Sequence, residues 1–142
     1  MGANSDSLNV ARFVYLCAMN KIINIDLYNR DVMVHFGSKK ELRKELHNYH
    51  KPDAVNEIVN AINFDADGFT LCNSDNGAYI VYMPKQPSTP SEIGTLIHEL
   101  SHATNAIMEA IGITLTESSE EAYTYCLGFL TRKVFEAFAI SS

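Results

Sequence analysis

An α+β domain is the fold class that the sequence predicts, and three observations carry it. Apolar residues alternate in two separate regions, recur at helical spacing in several others, and the strand-like runs all precede two long helical stretches. The 142 residues suit one domain. Hydrophobic residues make up 46% and charged residues 20%, which excludes a disordered chain or an extended coiled coil. Such a chain buries roughly two-thirds of its unfolded surface and needs no disulfide framework. Eleven Lys and Arg against seventeen Asp and Glu leave a net charge of -6, the wrong sign for affinity built on phosphate contacts, so no nucleic-acid partner is expected.

Residues 1–7 are polar and are expected to fray ahead of a single domain over 8–142. In 8–19, Val10, Phe13, Val14 and Cys17 recur at helical spacing and predict a short helix. Across 26–36, Val32, Val34 and Phe36 alternate with Met33 and His35 up to Gly37, which predicts a strand. Ser38-Lys39-Lys40-Glu41 is a capping-box sequence that opens a helix to about Asn48, and the alternating charges of 39–45 read as its solvated face. Pro52-Asp53 opens another helix through Ile62, with Val55, Ile58, Val59 and Ile62 on one side.

The β-rich runs 69–72 and 78–83 flank Asn73-Ser74-Asp75-Asn76-Gly77, a connection suited to a hairpin. Pro84, Pro87 and Pro90 bar regular pairing beyond it. Thr89-Pro90-Ser91-Glu92 is a second capping box, with proline at the first helical position, where its missing amide hydrogen costs nothing. That helix should run to Ile111 and stop at Gly112. After a polar connection, a last helix carries Ala122, Tyr125, Cys126, Phe129, Leu130, Val134 and Phe138 on an apolar stripe.

Cys17, Cys72 and Cys126 are widely spaced and form no C-x-x-C pair, so buried free thiols in a reducing compartment are expected. No basic segment precedes an apolar run near residue 1, and 13–19 is too short to span a bilayer. A cytoplasmic protein with no membrane partner follows as the expectation. His35, His47 and His50 are scattered over strand and helix and read as surface residues.

His98-Glu99-Leu100-Ser101-His102 is an H-E-x-x-H sequence in the middle of the long helix. Residues four apart lie one turn along and about 40° around a helix, so two imidazoles can converge on one ion. Glu99 then sits beside the first ligand, where it can take a proton from water without coordinating. A shuffled chain of this composition holds the pattern about 0.01 times, which favours a metal site over coincidence. Zinc needs a third protein ligand. No histidine follows Met108, so the candidates are Glu109, Glu117, Glu120, Glu121 and Glu136. Glu109 is about 10 Å along the same helix from His102, too far to close the site, and Glu136 lies deep in the last helix. Glu121 can return toward the histidines if the two helices pack antiparallel. Ser118-Ser119-Glu120-Glu121 is also a capping-box sequence, and Glu120 and Glu117 could instead serve the positive helix end.

At these residues the chain resembles the zincin metallopeptidases and, within them, the gluzincins, whose H-E-x-x-H is followed by a glutamate on a downstream helix. The eighteen residues between His102 and Glu121 look like the spacing of the aminopeptidase branch, and Glu121-Ala122 resembles the pairing around the third ligand in several gluzincins. The metzincin continuation is absent, because Asn105 and Met108 stand where it needs glycine and histidine.

The resemblance covers 89–134 and implies a zincin-like fold: a small sheet with an edge hairpin packed on the H-E-x-x-H helix, and a C-terminal helix bearing a ligand. It implies one zinc ion held by His98, His102 and Glu121, with Glu120 the alternative, and Glu99 as general base. The implied activity is hydrolysis of a peptide or protein substrate. It also makes 78–83 the sheet edge beside the cleft, where an extended peptide could pair. No oxyanion motif of the larger families is present, and Tyr123 and Tyr125 are the residues near the expected ligand that could support a transition state. The competing expectation is a catalytically silent, zinc-stabilised binding module acting through a protein partner, against which Glu99 counts, since a structural site has no use for a base.

Overall fold

The computed structural model describes residues 20–73 and 77–141, so the helix expected in 8–19, the fraying of 1–7 and Cys17 lie outside the described residues. Strand β1 is Asn20–Ile25 and β2 is Arg30–Phe36, paired antiparallel around the 3-10 turn Asp26–Tyr28. The strand expected over 26–36 is therefore shorter, and a strand precedes it. The turn closes at Asn29, in the left-handed region at φ 50°, a conformation that asparagine tolerates better than most residues.

Helix α1, Lys39–Leu46, starts on the expected capping box: Ser38 Oγ accepts from the Glu41 amide and Glu41 Oε2 accepts from the Ser38 amide. Leu42 and Leu46 are buried while the lysines face water. Helix α2, Pro52–Ala61, turns Val55, Ile58 and Val59 inward. Strands β3, Phe69–Asn73, and β4, Ala78–Met83, form the expected antiparallel pair. Helix α3, Pro90–Ala110, carries the second capping box, with Thr89 and Glu92 bonded reciprocally. Gly112, at φ +81°, follows its end. Helix α4 is Glu120–Phe138.

The sheet order is β1-β2-β4-β3, with β2 and β4 parallel and the other pairs antiparallel. This corrects the expected edge. The 78–83 strand is interior, all six residues buried, and β3 is the edge. A continuous apolar run marks a strand covered on both faces, whereas an edge strand with one wet face alternates. One sheet face packs Met33, Ile80 and Tyr82 against α1 and α2, and the other packs Val34, Phe36 and Val81 against α3 and α4. His35 is 1% exposed and thus a core residue, contrary to its expected place at the surface, because β2 is interior as well. His47 is exposed and His50 half-buried. No helix among the described residues is long and apolar enough to cross a membrane.

Candidate metal centre

Helix α3 sorts its residues by angle. Leu96, Leu100, Ala103 and Ile107 point into the core and are fully buried, and His98 and His102 fall on the opposite, exposed side. Their Nε2 atoms stand 3.0 Å apart with the rings edge to face. Two nitrogens on one tetrahedral zinc would be about 3.3 Å apart, from the usual zinc–nitrogen bond length. The pair therefore has the bite for one cation. Without a cation, one imidazole donates to the other.

Glu99 projects between these two directions, toward β3, and is 7% exposed. Thr70 Oγ1 lies 2.5 Å from Glu99 Oε2 and 2.9 Å from the Glu99 carbonyl oxygen. Gly68 closes in from the same edge: a Cβ there would stand 2.8 Å from Thr95 Cγ2 and 2.9 Å from Glu99 Cγ. Glu99 and His102 line a cleft of about 440 Å³ between α3 and β3, with Cys72, Asn105 and Glu109 further along it. Desolvation and then the Glu99 charge push the Cys72 thiol up to about 11, so it is a neutral wall residue at physiological pH. Of the other thiols, Cys126 is buried and Cys72 is exposed, so burial holds for one of the two described cysteines.

The remaining expected site residues lie elsewhere. Glu121 and Glu120 are exposed in the first turn of α4, and Glu121 faces the Asp26–Tyr28 turn across a separate groove. Register explains this. Cys126 meets Thr104 across the α3–α4 contact. Because the helices run antiparallel, Glu121 sits beyond Met108 along α3, about 10 Å past His102. Helix α4 also packs on the Thr104 side of α3, not on the histidine side. Among the described residues, no three His, Cys, Asp or Glu side chains are gathered to hold an ion. The fit to zinc is thus partial: two imidazoles converge, with the Glu99 carboxyl on the next face of the helix, and no third donor joins them.

The alternative use of Glu121 in a capping box is also unrealised, since Ser119, not Ser118, precedes the helix and makes no capping bond. Its hydroxyl donates to the Thr114 carbonyl instead. Tyr123 is buried and donates to the Ile113 carbonyl at 2.8 Å, so its hydroxyl is committed to the backbone. Tyr125, expected on the apolar stripe of the last helix, is instead 72% exposed on the Glu121 groove, because its direction on α4 lies outside the arc of Cys126, Leu130 and Val134 that meets the core. Neither tyrosine lines the Glu99 cleft.

Thr70 and Gly68 are the contacts that sequence reasoning missed. The glycine immediately before a strand was a signal for close backbone approach. Nothing local marks Thr70. Comparison with protein-family models, with curated proteins and with solved structures returns no significant match.

Proposed function

We propose that the chain is a zinc-dependent peptidase of zincin-like fold, in which His98 and His102 hold the ion and Glu99 is the general base. The observation that carries this reading is the 3.0 Å approach of the two imidazole nitrogens beside a buried carboxyl that opens on a cleft along β3, the edge strand of the described sheet. Bound zinc would polarise a scissile carbonyl and make its bound water acidic. The chain's own part is to hold Glu99 at the cleft wall, where its carboxylate can accept a proton from water and return it to a leaving amine. Glu121, with Glu120 as alternative, completes the donor set in this reading, which requires the first turn of α4 to draw toward the histidines on loading. One zinc ion, a peptide or protein substrate and a cytoplasmic setting belong to the same proposal.

The test separates these roles. Glu99→Gln should keep zinc, measured by elemental analysis of the unchelated protein, and lose at least about 100-fold in cleavage of labelled casein. His98→Ala should lose the metal, and so should Glu121→Ala. Cleavage by Glu99→Gln at the wild-type rate would remove the base assignment. Zinc retained by Glu121→Ala would place the third donor elsewhere.

That neither Tyr123 nor Tyr125 lines the Glu99 cleft, which leaves an oxyanion without a side-chain donor from them, favours a second reading, a zinc-stabilised module that binds a protein partner without turnover. It requires stoichiometric zinc in a protein that cleaves no peptide bond.

A further inference from the structure

The exposed side of α3 stays polar beyond the histidines. His98, His102, Asn105 and Glu109 follow at intervals of four, three and four, so they share a stripe about 60° wide, and all four are exposed. The last three line the cleft of about 440 Å³ whose opposite wall is β3. No lysine or arginine lines that cleft, and Glu109 makes no ion pair among the described residues. Cys72 on the β3 wall is neutral and offsets nothing. Two carboxylates, Glu99 and Glu109, thus set a negative potential along the cleft of a chain whose net charge is -6.

Distance fixes where along a bound peptide that potential acts. Strand β3 is the edge of the described sheet, and an edge strand presents backbone groups with which an extended peptide can pair. Glu109 lies seven residues past His102, about 10 Å along the helix axis. An extended peptide advances about 3.3 Å per residue. With its scissile bond at the histidines, a peptide lying along β3 brings the residue about three places from that bond beside Glu109. A lysine or arginine there pairs with the carboxylate, and an aspartate or glutamate is repelled.

We infer that the cleft selects peptides with a basic side chain about three residues from the scissile bond, and that Glu109 is the residue that determines this specificity. The position of the scissile bond rests on the peptidase reading, whereas the charge selection itself needs no turnover.

Binding and cleavage test the two parts separately. By fluorescence anisotropy of the zinc-supplemented full chain, a fluorescein-labelled alanine-serine nonapeptide with one central lysine should bind about three to five times more tightly than its glutamine counterpart, the size expected of an exposed ion pair. Glu109→Gln should remove the difference, and Glu109→Lys should turn the preference toward a glutamate peptide. Glu57→Gln, an equal change of net charge at an exposed position of α2 on the other side of the sheet, should leave the preference intact. Cuts in denatured casein, mapped by mass spectrometry, should carry lysine or arginine at the third residue on one side of the bond, an enrichment that Glu109→Gln abolishes. Equal binding of the lysine and glutamine peptides, or a preference that Glu57→Gln weakens as much as Glu109→Gln does, overturns the assignment of Glu109. Cleavage without basic enrichment overturns it while leaving the peptidase reading in place. Lysine-selective binding through Glu109 without any cleavage does the reverse, removing the peptidase and supporting the charge selection.

Discussion

Glu99 is held from the sheet side by two residues it could not have been paired with from sequence. The Thr70 hydroxyl reaches its carboxyl from 29 positions away, and Gly68 lets the backbone lie against its Cγ. Replacing Thr70 by valine keeps the shape and removes the donor to a buried carboxyl, a loss of about 1–3 kcal/mol by urea unfolding that Thr70→Ser should largely restore. Gly68→Ala should cost about 1–3 kcal/mol through overpacking, because the added carbon meets Thr95 and Glu99 below 3.0 Å. The convergence of His98 and His102 was legible because residues four apart are neighbours in any helix. His35 was not, since alternation in a strand does not say whether both faces are covered. Its Nε2–H donates to the Ser38 carbonyl, which leaves Nδ1 buried as a lone pair without a partner. Desolvation lowers its pKa despite the opposing pull of the Ser38 carbonyl, Glu41 and Glu45. As pH falls through about 6.5 the unfolded chain therefore takes up a proton that the folded one resists, and stability declines. Urea midpoints should drop between about pH 7 and 5 in the wild type, and less in His35→Gln.

Helix starts were readable where the signal is complete within four residues. Both Ser38 and Thr89 make the reciprocal bonds that their sequences predict. The Thr89 box is reinforced by Lys85, which with the Ser88 and Thr89 amides holds the Glu92 carboxyl down at about 2. That support is complete above the ordinary carboxylate range and is lost as pH falls toward 2. The third such sequence, at Ser118, is overridden by the loop, where Ser119 bonds back to Thr114 and Thr116. Thr89→Ala should consequently cost about 1 kcal/mol, whereas Ser118→Ala should stay within about 0.5 kcal/mol, both read from denaturant midpoints. The same loop fixes the register of α4 on α3. An eighteen-residue gap specifies how far the chain travels between His102 and Glu121, but the length and bonding of the reversal decide which residues face each other.

At the scale of the molecule, the class of the fold was legible and the order of its strands was not. Continuous burial of β4 follows from its six apolar residues, yet its neighbours depend on a crossover through α1 and α2 that no local pattern encodes. The parallel seam between β2 and β4, from Met33 opposite Ile80 to Phe36 opposite Met83, is where the two packed layers meet. Each flanking hairpin closes over a short stretch of chain, but the seam joins residues far apart in sequence and carries the larger loop-closure entropy. Folding should thus begin as two separate ribbons and commit only when they zip together. Stopped-flow measurements on Val34→Ala and Val81→Ala should show the loss divided between slower refolding and faster unfolding, while Ile23→Ala at the outer strand chiefly speeds unfolding. The cleft beside Glu99 is bordered by β3 and α3, on the far side of that seam from β1, so a chain arrested before zipping has one half of its architecture without the other.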